Sequence, residues 1–429
     1  MTGFVESEEL PLVTGQLRYL DVLRKDPAVR TGIWRCVRIA GELDIDRFTD
    51  SVETIVSRYD ALRIEILDRP GREPRQRIRG VPPRADLISY QDVLARSEEQ
   101  FSRYIQHVIV QEQRQRWGVD ACHAYPFRFR LFRYSPTVHA LVLGLSHLAV
   151  DGIGAEILVR DLMRTYADTM AGRTPRGRPR RSFAEYVTQW AAASGKGSRH
   201  AAQDDPAGVL LPTRFDVPPP AQGERDTRSR QVSLTLAGTE LDALRERANL
   251  HRCTEFTWIL AAFARTVFQF TRQDQVKISV PVNVRGPDER EVVGTYLLVV
   301  PVVLERPRDA DGERGFVAGV GSAVLRAMVR YRWSTLEGAR FRTDLGVLYT
   351  RISGLDVREF QPAVSRDLPR VDYLTRGVSV EACSYPVVLD VRAVFDSAVF
   401  SEQSAKDVSE TLRRNLTSDS GLYGGQSVG

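Results

Sequence analysis

The segment from Val138 to Leu162 constrains the fold most. Val138 to Leu145 is a dense apolar strand, and Ser135-Pro136 supplies the turn that joins it to the alternating run 127–133. The strand ends at Ser146-His147, a tight loop follows, and a helix begins near Asp151. Ile153, Ile157, Leu158 and Leu162 recur at helical spacing and predict a buried stripe on that helix. A carboxylate at the helix start caps free backbone N–H groups, and Gly152 permits close approach to the backbone. His147 therefore lies where a paired strand gives way to a helix N-terminus. An imidazole there can exchange protons near neutral pH beside dipoles that stabilise negative charge. On the residue pattern alone, a lone His at a strand end such as His147 is usually a satisfied surface or core residue, and Asp151 is more often an N-cap than an active-site residue.

Around this segment the chain mixes helices and paired strands. Helices are predicted from Thr14, with Leu17, Leu20 and Leu23 on one face, over Asp44–Tyr59 and over Ser97–Gln115. Strands are predicted over 33–40 and 61–67. Residues 171–181 carry five arginines, two prolines and no acid and read as an exposed linker. A short aromatic helix follows at Phe183–Ala193, and 194–230 reads as a surface loop. The second half repeats the theme. Strands are predicted at Val232–Leu236, Val276–Val282 and Leu297–Leu304, with two more within Val378–Phe395. Helices are predicted at Thr239–Ala248, Thr254–Thr271, Phe316–Tyr331 and Ser401–Leu416. Leu297–Leu304 is almost wholly apolar, which predicts a central strand.

Two α+β halves of similar make-up suggest a pseudo-dimer with a cleft. The expected domains are 1–170, a connecting stretch 171–230, 231–416, and a disordered tail 417–429. A length of 429 residues fits two or three domains of ~100–200 residues.

Composition narrows the function. Sixty basic against fifty-five acidic residues leave +5, too low a charge density for bulk nucleic-acid binding. No run approaches ~18 apolar residues, and MTGFVESEEL lacks a signal-peptide pattern, so a cytoplasmic protein without membrane segments is expected. Cys36, Cys122, Cys253 and Cys383 form neither a disulfide framework nor a zinc set. Neither GxxxxGK[ST], GxGxxG after a strand, nor HExxH occurs, so no cofactor or metal is implied.

SHLAVDG, residues 146–152, resembles the HHxxxDG motif of nonribosomal peptide synthetase condensation domains and related acyltransferases. PLVTGQLRYLDVL resembles that family's opening helix, and RYDALR (58–63) its RHxALR stretch. SFAEYVTQW (182–190) resembles its tyrosine–tryptophan helix. Residues 276–301 resemble the segment from the motif arginine to the GFFVNTLP strand. These landmarks fall in the family's order over most of the chain.

The resemblance implies two chloramphenicol-acetyltransferase-like lobes in a V, with a tunnel at their junction. It implies that His147 is the catalytic histidine and that the Gly152 N–H faces the reacting carbonyl. Asp151 would hold the loop by an ion pair to Arg285, and Arg63 would lie beneath the motif. Three positions depart from the pattern: Ser146 replaces the first histidine, Leu298 a common asparagine, and Gly154 a common serine.

The implied reaction is attack of an acceptor amine or hydroxyl on an acyl thioester presented by a phosphopantetheinyl acyl or peptidyl carrier protein. His147 would act as general base or transition-state stabiliser. No nucleophilic Ser146 or Cys122 is needed, as neither sits in a GxSxG-type elbow. A free-standing condensation enzyme is expected. The alternatives are an acyl-coenzyme A-dependent acyltransferase and a noncatalytic docking module. Arg173, Arg176, Arg178, Arg180 and Arg181 are candidate contacts for an acidic carrier.

Overall fold

A computed structural model describes residues 9–25, 32–114, 124–175, 177, 179, 181–201, 213–220, 230–308, 312–332, 344–351 and 377–417. Cys122, Arg176, Arg178, Arg180 and the tail beyond Thr417 lie outside the described residues. The described chain forms two compact units. The first runs to Lys196 and includes the segment Asn283–Leu297, and the second holds the remainder.

The first unit contains β1 (Leu10–Pro11), α1 (Thr14–Lys25), β2 (Gly32–Ala40), α2 (Ile45–Arg58), β3 (Ile64–Leu67), β4 (Arg75–Ile78) and β5 (Ser89–Asp92). It continues with α3 (Glu98–Arg114), β6 (Phe127–Ser135), β7 (Val138–Ser146), α4 (Gly152–Met170) and α5 (Phe183–Ala201). One sheet has the order β1-β4-β3 and the other β2-β7-β6-β5. β2 pairs antiparallel with β7 from Ala40↔Val138 to Gly32↔Ser146, so His147 is the first residue past the ladder.

Alternation divides the faces of this larger sheet. Trp34, Phe132, Ala140 and Val142 pack against Phe101, Ile105, Val108 and Ile109 of α3. Their neighbours Leu131, Leu141, Leu143 and Leu145 are buried on the opposite face. α4 contacts β2, and α2 packs along α4. Gly144 faces Trp34 across the β2–β7 ladder, and a Cβ there would run into the indole ring.

The second unit contains β8 (Arg230–Ala237), α6 (Thr239–Leu250), α7 (Glu255–Gln269), β9 (Gln275–Asn283), β10 (Leu297–Glu305), α8 (Gly312–Tyr331), β11 (Leu345–Arg351), β12 (Val378–Ser384), β13 (Val388–Phe395) and α9 (Glu402–Thr417). Its sheet runs β10-β9-β11-β12-β13-β8. α7 is its buried helix: Thr254 caps it by accepting from Thr257 N, and Trp258, Phe263 and Val267 are enclosed. α6, α8 and α9 all contact α7.

Several expectations are corrected. Among the described strands, β10 ends its sheet rather than lying centrally. Apolar content reports burial of a strand's two faces and says nothing of its hydrogen-bonded edges. Residues 61–67 begin as a 3₁₀ turn, Asp60–Arg63, before the strand proper. α5 extends to Ala201 and belongs to the first unit as far as Lys196, as does 283–297. Asp60 ties α5 down: its carboxylate accepts from Phe183 N at 3.1 Å and Ala184 N at 2.8 Å. Ile153 is 44% exposed, because the first turn of α4 turns Gly154 and Ala155 inward instead.

No helix among the described residues is long and apolar enough to cross a membrane.

Candidate active site

The loop between β7 and α4 is held at almost every peptide group. Ala149 N and Val150 N both donate to the Ser146 carbonyl at 3.0 Å. Gln16, fully buried on α1, donates from Nε2 to the Leu148 carbonyl at 2.8 Å. The Gln16 amide is itself fixed by Val13 N and by Gln76 of β4. Thr295 Oγ1 donates to the His147 carbonyl at 2.9 Å, and Asp151 N to the Gly294 carbonyl at 3.1 Å. The loop is thus clamped between α1 and the returning segment 283–297.

Asp151 is the centre of that clamp. Its Oδ1 accepts from Gly154 N at 2.7 Å and from Arg285 Nη2 at 2.9 Å. Its Oδ2 accepts from Arg285 Nη1 at 2.7 Å and from Tyr296 N at 2.8 Å. One carboxylate therefore caps α4, forms a two-pronged ion pair and holds a strand end. The pair is deeply buried, with side-chain exposures of 2% for Arg285 and 3% for Asp151. Arg285 also donates to the carbonyls of Val292 and Gly294 and to Asn283 Oδ1, and its guanidinium lies 4.4 Å over the Tyr296 ring. Such satisfaction is what makes a buried charge pair tolerable.

His147 presents the opposite case. The residue is half-buried. Its ring lies nearly parallel to that of Tyr19 on α1, with centroids 4.6 Å apart and an interplanar angle of 11°. Nδ1 is enclosed without a hydrogen-bond partner. Burial pushes the imidazole pKa down to about 4, which the Asp151 carboxylate opposes and the Arg35 guanidinium reinforces. The Val150 backbone also favours the charged ring. The ring is therefore neutral at physiological pH. Arg35 itself is tied to Glu156 of α4 at 2.7 Å.

Gly152 opens the 19-residue helix α4, and a Cβ built on it would meet nothing within 4 Å. Neither crowding nor backbone strain explains this glycine; what it leaves is open space beside the helix N-terminus. Gly154 differs. A Cβ there would sit 3.0 Å from Val150 Cγ1, 3.2 Å from the Gly294 carbonyl and 3.3 Å from Arg285 Nη2. The ion pair thus gives a packing reason for glycine where a serine is expected.

The remaining sequence candidates fall as follows. Ser146 is buried, and its Oγ accepts from Leu148 N at 3.3 Å, turning the hydroxyl into the loop's own turn. Arg63 clamps backbone: Nη1 donates to the Arg79 carbonyl at 2.6 Å and Nε to that of Val56 at 3.1 Å. Leu298 belongs to the second unit and is buried. Arg173 pairs with Asp168 and Arg181 with Glu289, so the described arginines of 171–181 have carboxylates of their own. Among the described residues, no group of three His, Cys, Asp or Glu side chains could hold a metal ion. Gln16, Tyr19 and Thr295 were not singled out from sequence. The first two lie in the opening helix whose pattern was recognised, so a polar residue and a ring on a buried helix face were the available signal.

Residues 30–331 match the condensation-domain family. The chain belongs to that family. It is 25% identical over 287 residues to surfactin synthase subunit 2 of Bacillus subtilis (strain 168), covering 63% of this chain and 8% of that protein. The chain thus spans a small part of the curated relative it matches. Among solved structures, it shares the fold of the first condensation domain of the calcium-dependent antibiotic synthetase (TM-score 0.74, 17% identity, 96% of each chain). It also shares that of the X-domain in its complex with OxyB from teicoplanin biosynthesis (TM-score 0.70, 18% identity, 97% of this chain and 94% of that one).

Proposed function

We propose that this chain is a condensation enzyme of nonribosomal peptide or related secondary-metabolite biosynthesis. It joins an acyl group, held as a thioester on a carrier protein, to an acceptor amine or hydroxyl. The acceptor attacks the carbonyl carbon, the C–S bond breaks, and the carrier's thiol leaves with a proton. The observation that carries this reading is a neutral His147 held at the end of β7, beside open space at the first turn of α4.

Each residue has a derivable part. A neutral imidazole can accept a hydrogen bond and then the proton from the attacking group, a contribution of ~10²–10⁴-fold. With so low a pKa the proton is held briefly, which suits a relay from acceptor to leaving thiol better than a resting imidazolium. The Gly152 N–H, at the α4 N-terminus, would stabilise the oxyanion, worth ~10²–10³-fold per donor. Asp151 and Arg285 hold the loop without touching substrate. Family membership supports acyl transfer as the chemistry.

The test offers one acyl group as a carrier thioester, supplied on a separately expressed carrier, and as the coenzyme A thioester. Turnover with kcat/KM at least about tenfold higher for the carrier form is expected. Equal use of coenzyme A would replace this reading with a coenzyme A-dependent acyltransferase. Supply in trans also tests the free-standing mode directly.

One observation favours a second reading, a noncatalytic docking module: Ser146 stands where the motif has histidine. Under it, neither donor would be turned over, and the carrier-bound substrate would only be retained.

A further inference from the structure

A catalytic imidazole is ordinarily oriented by a hydrogen bond on Nδ1 to a carboxylate or backbone carbonyl, which sets both tautomer and ring plane. That bond is missing here. His147 Nδ1 is enclosed and without a partner. The residue before it, Ser146, spends its hydroxyl on Leu148 N. The loop fixes the backbone of His147 through Thr295, but a backbone bond leaves the side-chain torsions free. A contact that constrains the ring plane is the Tyr19 stack at 4.6 Å and 11°.

We infer that Tyr19 is a positioning residue for His147, setting the imidazole plane by ring stacking in place of a hydrogen bond on Nδ1. Tyr19 can do this because its helix is itself anchored to the same loop. Gln16, three residues earlier on α1, donates to the Leu148 carbonyl. Gly15 sits so close to the Leu297 carbonyl that a Cβ would clash there. Helix, loop and the segment 283–297 therefore move together, and the phenol ring keeps its place over the imidazole. A near-parallel pair at this separation contributes through dispersion and area, and it restricts tilt strongly while leaving Nε2 at the ring's edge for a substrate. The hydroxyl is not required by this argument, whereas the ring is.

The inference rests on the proposed role of His147, and its test has one arm that does not. Tyr19→Phe and Tyr19→Leu are compared with the parent protein. In the activity arm, Tyr19→Phe should retain kcat within about threefold. Tyr19→Leu should lose about 10- to 10²-fold in kcat with KM little changed, the scale expected when a reacting group is displaced by about 1 Å. In the second arm, the ring protons of His147 are assigned by NMR through their loss in His147→Gln. They should be shifted upfield by the facing ring in the parent and in Tyr19→Phe, and should lose that shift in Tyr19→Leu. Full kcat in Tyr19→Leu with the upfield shift lost overturns the positioning role. Absence of the shift in the parent overturns the stack itself. If the shift behaves as expected and no variant, parent included, turns over an acyl donor, the catalytic reading fails and with it the role assigned to Tyr19.

Discussion

Asp151 and His147 stand four residues apart on one loop and are opposites. Each carboxylate oxygen of Asp151 accepts two hydrogen bonds, and its partner Arg285 is itself almost fully engaged. His147 has an enclosed nitrogen with no bond and a ring held by packing. The difference separates two kinds of work. A side chain with every lone pair filled can stabilise and orient, but it has nothing left to offer a substrate. A side chain with unfilled capacity, kept neutral by burial, can exchange a proton, but it has to be held by others.

The comparison breaks most severely at Asp151. Asp151→Ala strands the buried Arg285 guanidinium and uncaps α4. A loss of ~3–5 kcal/mol is expected for one partner of a buried pair, read as a lower urea midpoint or loss of soluble protein. Arg285→Ala should cost a similar amount, and the double variant should cost clearly less than the sum. Additive losses would show that the two side chains do not act as a pair.

Gly154→Ser gives the next effect. Its Cβ meets Val150 and Arg285 at 3.0–3.3 Å, so the pair has to shift. Overpacking of this kind costs ~1–3 kcal/mol, again measured by urea unfolding. An unchanged midpoint would mean that the α4 first turn relaxes freely around the ion pair.

A smaller effect distinguishes His147 by pH. Its folded pKa lies near 4, below the ordinary 6.5. Between those values the unfolded chain binds a proton that the native chain refuses. This group therefore lowers stability as pH falls from about 6.5 towards 4 and has no effect above neutrality. His147→Gln should flatten that part of the stability profile. A profile identical to the parent's would place the ring in a more solvated setting than the one described.

Ser146→Ala should change least. It removes one long hydrogen bond to Leu148 N, while the Ser146 carbonyl bonds that shape the turn remain. Activity within a few-fold of the parent is expected, and a trapped acyl adduct on Ser146 would contradict the mechanism.

The two sides of the comparison were unequally legible in the sequence. Asp151 at a helix start follows from local pattern, because a cap and the strand before it are set by neighbours in the chain. The β7–α4 joint was therefore readable to within a residue or two. Its partner Arg285 was reached only through a family motif, since nothing in spacing brings positions so far apart together. The Tyr19 stack and the Gln16 clamp were missed because both depend on α1 docking against this loop, a tertiary event without local periodicity. The same limit explains β10, whose apolar run reported covered faces but not its place at the sheet edge. Ile153 shows the converse: helical spacing predicted it buried, yet the first turn of a helix obeys its cap more than its stripe.

The central claim is that His147 performs the transfer while Asp151 and Arg285 only hold it in place. Single-turnover transfer from an acyl-carrier thioester in His147→Ala tests this directly. The account predicts a folded protein with parent-like thermal stability at neutral pH and a rate constant lower by ~10²–10⁴-fold. A folded His147→Ala protein that transfers the acyl group at close to the parent rate would contradict it.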